Sequence, residues 1–383
     1  MEMGSNQPRP HMSAAGPVRL GADPITTGLQ LGPLAFLAGS WQGTGFNQIW
    51  RPDNSQPPEN SAIRRFLELN LTSETFQFDV IPGVVPNRGV ENQPDLNLFG
   101  LHYLQQVSDA DPPPFPTAGQ ALHIEPGFFM NVPASEVPAN PASVVRLASI
   151  PHGVSLLFQG PAPSATPVPG PPNIPPVYPI PELSAFTPQP PPFTPPTPPP
   201  PGPLGLGIQP TEIPPPGGPG GLHAVPEVYI ANDVVGSQSN GPYPADFQDF
   251  INDPNSVLRN ASAGQNILGT ITIELSTENV ANSIGNIPFL GIPNPAEAQD
   301  PTNPNAFVSS ARATFWIEWV HIENPHPGNK PPRPPGQGNG NGPGPFPGQP
   351  TFLQLQYSQL SILIFNGVVW PHINVATLTL SHG

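Results

Sequence analysis

Apolar and polar positions alternate with a period of two along most ordered-looking runs of the chain. That is the pattern of strands with one face turned to a core. From Phe307 to Ile322, one face reads Phe307, Ser309, Ala311, Ala313, Phe315, Ile317 and Trp319. Asn266 to Leu275 sets Ile267, Gly269, Ile271 and Ile273 against Leu268, Thr270, Thr272 and Glu274. Similar runs are Trp41 to Trp50, Leu98 to Val107, Ala121 to Val132, Val144 to Ile150, Val154 to Gln159, Thr351 to Phe365 and Val369 to Leu380. Ile63 to Val80, with Ile63, Arg65, Leu67, Leu69 and Leu71 on one face, is long enough for two strands. Pro151-His152-Gly153 reads as a tight hairpin turn. The helical signal is slight: one or two turns over Leu31 to Ala38, and a short helix marked by Phe247 and Phe250.

About ten strands with short connections favour antiparallel neighbours. Closing the sheet hides its edges. The expected fold is all-β, an up-and-down antiparallel β-barrel of about ten strands.

Composition changes the picture in one respect. The chain holds 66 prolines and 38 glycines in 383 residues, with only 10% charged residues. The prolines concentrate in 161–221 and, with Gly and Asn, in 324–350. Proline at that density removes donors and fixes φ, so these segments are expected as solvated polyproline-type loops inserted into one domain, 28–383. Residues 161–221 are then expected to add neither buried apolar area nor ladder hydrogen bonds. Residues 1–27 read as a disordered leader without the features of a signal peptide, and no run of about 18 apolar residues occurs. A cytoplasmic address is expected, with no membrane partner. The net charge of −15 and the lack of a basic patch argue against nucleic acid. With no cysteine, disulfides, zinc thiolate sites, covalent c-type haem and a cysteine nucleophile are excluded.

Candidate chemistry is sparse. No two histidines have zinc-site spacing, no Gly-x-Ser-x-Gly or P-loop occurs, and the carboxylates are dispersed. His102, His123, His152 and His372 lie in or between strands, while His11, His223, His321, His326 and His382 are expected at the surface. The small residues in the middle of the Phe307 face leave volume inside a barrel. Either a ligand cavity or a bulky side chain from elsewhere in the barrel accounts for it, and periodicity leaves both open.

Three motifs carry a resemblance. Gly39-Ser40-Trp41-Gln42-Gly43-Thr44-Gly45 opens the first strand, Leu122-His123-Ile124-Glu125-Pro126-Gly127-Phe128 lies in a middle one, and Trp370-Pro371-His372-Ile373-Asn374-Val375-Ala376-Thr377-Leu378 closes the chain. In this order they resemble the nitrobindin family of haem-binding β-barrels. The resemblance covers 31–160 and 260–380. Met130 stands where the family suggests an arginine, and Val368-Val369-Trp370 departs from the usual approach to the histidine.

The resemblance implies a b-type haem at the open end with His372 as its proximal iron ligand. It implies binding of nitric oxide or another diatomic ligand, and peroxynitrite isomerase-like activity; a His-ligated haem could also run weak peroxidase chemistry. His123 is expected on the distal wall, Trp370 near the iron, and Tyr357, Ile362, Leu355 and Ile364 along the macrocycle. Arg64, Arg65, Arg146 and Arg312 are the strand cations available to propionates. A metal-free lipocalin-like carrier of a small hydrophobic ligand is the alternative. A third is an interaction protein acting through the P-x-x-P spacings of Pro190 to Pro203.

Overall fold

The computed structural model describes residues 24–52, 65–89, 94–110, 119–137, 139–150, 154–177, 234–235, 247–277, 307–323, 345–365 and 368–381. Ten long strands carry the fold: β1 (Gly39–Pro52), β2 (Arg65–Val80), β3 (Leu96–Asp109), β4 (Ala121–Val132), β5 (Ser143–Ile150), β6 (Val154–Pro161), β7 (Ile267–Ser276), β8 (Phe307–His321), β9 (Thr351–Phe365) and β10 (Val368–Leu380). Each pairs antiparallel with its neighbour in sequence, and β10 returns to β1 from Trp41↔Leu380 to Ile49↔His372. The result is a closed up-and-down barrel, as the alternation predicts. β2 is one continuous strand.

The period of two sorts side chains into an interior and an outer face. The interior holds Trp41, Phe76, Phe78, Tyr103, Phe129, Phe158, Phe315, Tyr357 and Leu378. Their rings form a chain of contacts, with centroids 4.3 Å apart for Phe76–Phe78, 5.3 Å for Tyr103–Phe129, 5.4 Å for Phe129–Phe315 and 5.7 Å for Phe315–Tyr357. Each buried ring contributes roughly 1.5–3 kcal/mol of transfer free energy, so this layer anchors the barrel.

One end of the barrel is plugged. A helix, α1 (Pro24–Gln30), runs into a 3-10 turn at Gly32–Phe36, and Leu31, Leu34 and Leu37 enter the interior core. The Trp41 indole N–H donates to the Leu37 carbonyl at 2.7 Å, and Phe36 meets Trp319 edge-on at 5.0 Å. The helical turns expected at Leu31 to Ala38 are present, and the expected leader is shortened because α1 begins at Pro24. At the seam, a Cβ on Gly45 would lie 2.2 Å from the Val375 carbonyl oxygen, so only glycine lets β1 pass β10 this closely.

Part of the outer face is covered as well. Two helices, α2 (Phe247–Asn252) and α3 (Asn255–Ser262), lie against the wall where one short helix is expected from the sequence. Phe250 meets Phe46 of β1 at 6.2 Å, and the Gln356 amide of β9 donates to the Leu258 carbonyl at 2.9 Å.

The beginning of the long Pro-rich segment differs from its expectation. Val168–Pro169 pairs with Thr270 and Gly269 of β7, and Ile174 is buried. Asp253 Oδ1 accepts the Val177 N–H at 3.0 Å, the Asn255 side chain donates to the Pro175 carbonyl at 2.7 Å, and Arg259 donates to the Ile174 carbonyl at 3.2 Å. Proline lacks a donor but keeps its carbonyl, and the helices use those carbonyls. Residues 161–177 are thus packed structure. Residues 178–221, 324–344 and His152 lie outside the described residues, as do His11, His223, His326 and His382.

Candidate functional site

The gap opposite Ala311 and Ala313 is occupied in its lower part by a side chain from β5. Arg146 reaches into the interior and donates from Nη1 to Gln359 Oε1 at 2.7 Å; Gln359 is the register partner of Ala313. Its guanidinium lies 5.2–5.6 Å from the ring centroids of Phe158, Phe315, Tyr103 and Phe129. At this level a bulky residue fills the space.

Arg146 belongs to a buried polar layer. It pairs with Glu125 of β4 and donates from Nε to the Tyr103 hydroxyl at 3.0 Å, while that hydroxyl donates to Glu125 Oε1 at 2.6 Å. His123 Nε2 stands 3.4 Å from Glu125 Oε2. Burial alone would raise the Glu125 carboxyl; the Arg146 charge, with His123 and Tyr103, outweighs it and holds the group at about 2. Glu74 of β2 is the second buried carboxyl. Thr72 donates to it at 2.8 Å, Gln105 at 3.3 Å, and the Tyr357 hydroxyl donates to it as well. Among the described residues no arginine bonds Glu74, so burial dominates over these donors and the His123 charge and pushes it up to about 7.

Toward the end opposite Trp41, the interior face becomes a row of amides. Asn70, Asn47 and Asn374 are register partners across β2, β1 and β10, and Asn374 in turn pairs with Gln359. Asn47 and Asn70 are 4% and 1% exposed. Asn47 Oδ1, Asn374 Oδ1 and both polar atoms of the Asn70 amide are buried without a hydrogen-bond partner. Leaving such atoms unpaired costs roughly 1–3 kcal/mol each, so the row is an unsatisfied polar surface inside the barrel. One register step below lie Thr72, Gly45, Ala376 and Tyr357; one step above lie Glu68, Ile49, His372 and Ser361.

The residues expected at a haem site distribute as follows. His372 is on the interior face at the amide end, and Trp370 shares that face, described in its backbone alone. Tyr357 is interior but belongs to the polar layer, bonded to Glu74 and Gln105. His123 is interior, beside Glu125, and Leu355 is interior toward the plugged end. Ile362 pairs with Pro371 and lies on the outer face of β9 with Leu360, because the strand keeps its register from Leu355 onward; Ile364 has the same parity. It therefore lines no interior slot. His102 is on the outer surface, 3.9 Å from Asp79. His321, expected at the surface, is half-buried with Nδ1 enclosed and unbonded.

The described side chains around His372 do not fit a haem. A macrocycle needs an apolar slot and cations for its propionates. Beneath His372 the wall is Asn374, Asn47, Asn70 and Thr72. Arg146 is already committed to Glu125, Tyr103 and Gln359, and Arg312 is on the outer face. Arg64 is outside the described residues; Arg65, on the outer face, and Arg51, at the rim of the interior face, are described in backbone alone. Among the described residues, no three His, Asp or Glu side chains gather as a metal site requires.

Sequence reading missed the amide row and the Glu74 cluster. The signal was there: Asn47 follows Trp41 by six residues, and Asn374 follows His372 by two, so each shares the interior parity of its neighbour. No helix among the described residues is long and apolar enough to cross a membrane. No family model, curated protein or solved structure matches the chain.

Proposed function

We propose that this chain is a ligand-binding β-barrel that takes a small molecule, without a metal, into the end of its interior opposite the Trp41 plug. One observation carries the reading: the interior is packed with aromatic rings and saturated polar groups up to Tyr357 and Arg146, and above them both polar atoms of Asn70 and the Oδ1 atoms of Asn47 and Asn374 are enclosed without a partner. A barrel that served only as a scaffold would gain stability by filling those positions with apolar side chains. Native mass spectrometry of the purified protein, paired with its visible absorption spectrum, tests this. A non-covalently bound organic species and no Soret band are expected. A bound mass that matches haem, with a Soret band, would overturn it.

That second reading, haem on His372, is favoured by the inward position of His372 in the closing strand. Reversible nitric oxide binding, peroxynitrite isomerisation and weak peroxidase activity depend on it. Titration with haemin separates the two. Loss of haem binding in His372→Ala but not in His123→Ala would support the nitrobindin-like account.

A further inference from the structure

Resting on the ligand-binding reading above, we infer that the Asn47–Asn70–Asn374 row is the recognition surface for an uncharged, polyhydroxylated small molecule, of the sugar or polyol class. The row forms from three adjacent strands and faces one way, because β1, β2 and β10 keep unbroken register over these positions. Asn70 presents an unpaired acceptor and an unpaired donor on one amide, and Asn47 and Asn374 each add an unpaired oxygen. A vicinal diol, in which each hydroxyl both donates and accepts, satisfies such a surface; an alkyl chain satisfies none of it.

Charge narrows the class. The nearby Arg146 and Glu125 neutralise each other, and Glu74 is capped by Thr72, Gln105 and Tyr357. Arg146 is the one arginine with a described side chain on the interior face, so a carboxylate or phosphate entering to the level of the amides finds no uncommitted cation there. A planar heterocycle would gain from a ring to stack on. Of the two rings beside the row, Tyr357 is already stacked on Phe315 and bonded to Glu74, which leaves the His372 imidazole; the other described neighbours are Glu68 and the small or aliphatic Thr72, Ala376, Ser361 and Ile49. Neutral hydroxyl groups over a saturated backbone meet all these conditions.

The test uses the full chain and titration calorimetry at millimolar concentrations, where polyols do not yet act by general exclusion from the protein surface. The probes are glucose, myo-inositol and glycerol, with hexanoate as the anionic apolar control and haemin as the metal-bearing one. Saturable binding of at least one uncharged probe is expected. It should weaken at least tenfold in Asn70→Leu and in Asn47→Leu, with thermal unfolding of each variant no lower than that of the natural chain. Asn70→Ser, which keeps one hydroxyl, should fall between if a leucine proves too large to fold. Binding of hexanoate or haemin in place of the polyols would overturn the ligand class and leave a carrier. Binding of none of the probes, with nothing co-purified, would overturn both readings. Polyol binding unchanged in all three variants would move the site elsewhere.

Discussion

Glu74 and Arg146 show opposite solutions to one problem, a charged group inside a barrel. Arg146 is matched by Glu125, so the charge is retained. Changing Arg146 to Met should cost about 3–5 kcal/mol in denaturant unfolding, because Glu125 is left buried without its partner. Adding Glu125→Leu should recover a large part of that loss. Glu74 has hydrogen bonds and a weaker attraction to His123, but no arginine partner among the described residues. Its folded value of about 7 lies above the ordinary 4.5, so the folded state holds the proton more tightly than the unfolded state. Stability from this group is complete below pH 4.5 and is lost as pH rises through 7, with a span on the order of 3 kcal/mol. Glu318, also raised to about 7 by burial against the opposing bond from Gln354, acts in the same direction. Glu125 works the other way: its contribution is present above 4.5 and lost as pH falls toward 2. Unfolding midpoints should therefore be higher at pH 5 than at pH 8, and Glu74→Gln should reduce that difference. A midpoint that rises from pH 5 to pH 8 would contradict the assignment.

At the scale of elements, the period of two was sufficient to read the barrel. Ala311 to Trp319 and Ile271 to Ile273 place their apolar faces inward as the alternation requires, while register shifts at Val308/Ser310 and Ile267/Gly269 break it at the start of each run. The same rule misleads in β2. Leu69 and Leu71 are on its outer face, while Asn70, Thr72 and Glu74 point inward; farther along, Phe76 and Phe78 are interior. Alternation reports which residues share a face but not which face is inside. Here the wall has a second layer in α2 and α3, so apolar residues occur on both sides. Parity likewise puts Ile362 and Tyr357, both expected along the macrocycle, on opposite faces. The helices also explain the packed Pro-rich stretch. Asp253 accepts the Val177 and Asn255 N–H groups at 3.0 Å and 3.2 Å and pairs with Arg259. Replacing Asp253 with Ala should cost about 1–3 kcal/mol and speed amide exchange in 170–177 and in α3. Exchange across β2 to β5 should be unaffected.

For the molecule as a whole, the proline-dense stretch from 161 to 221 divides into parts with different roles. Its first 17 residues pair with β7, bury Ile174 and supply carbonyls to Asn255 and Arg259. From 178 onward the sequence offers few donors and no apolar period, so it has little with which to stabilise a core. Closing a long loop costs only slightly more than closing a short one, and its removal gains little. Two deletions separate the roles. Joining 177 to 223 through a short Gly/Ser connector should leave the unfolding temperature within about 2 °C of the natural chain. Joining 161 to 223 should lower it by roughly 4–10 °C, because a domain of this size loses about 2–4 °C for each kcal/mol and several buried contacts go together. Both variants should keep a β-type circular dichroism spectrum, since the strands close on one another without this segment. If the shorter deletion alone caused the large fall, residues beyond 177 would have to pack on the barrel too, and the boundary drawn at Val177 would be wrong.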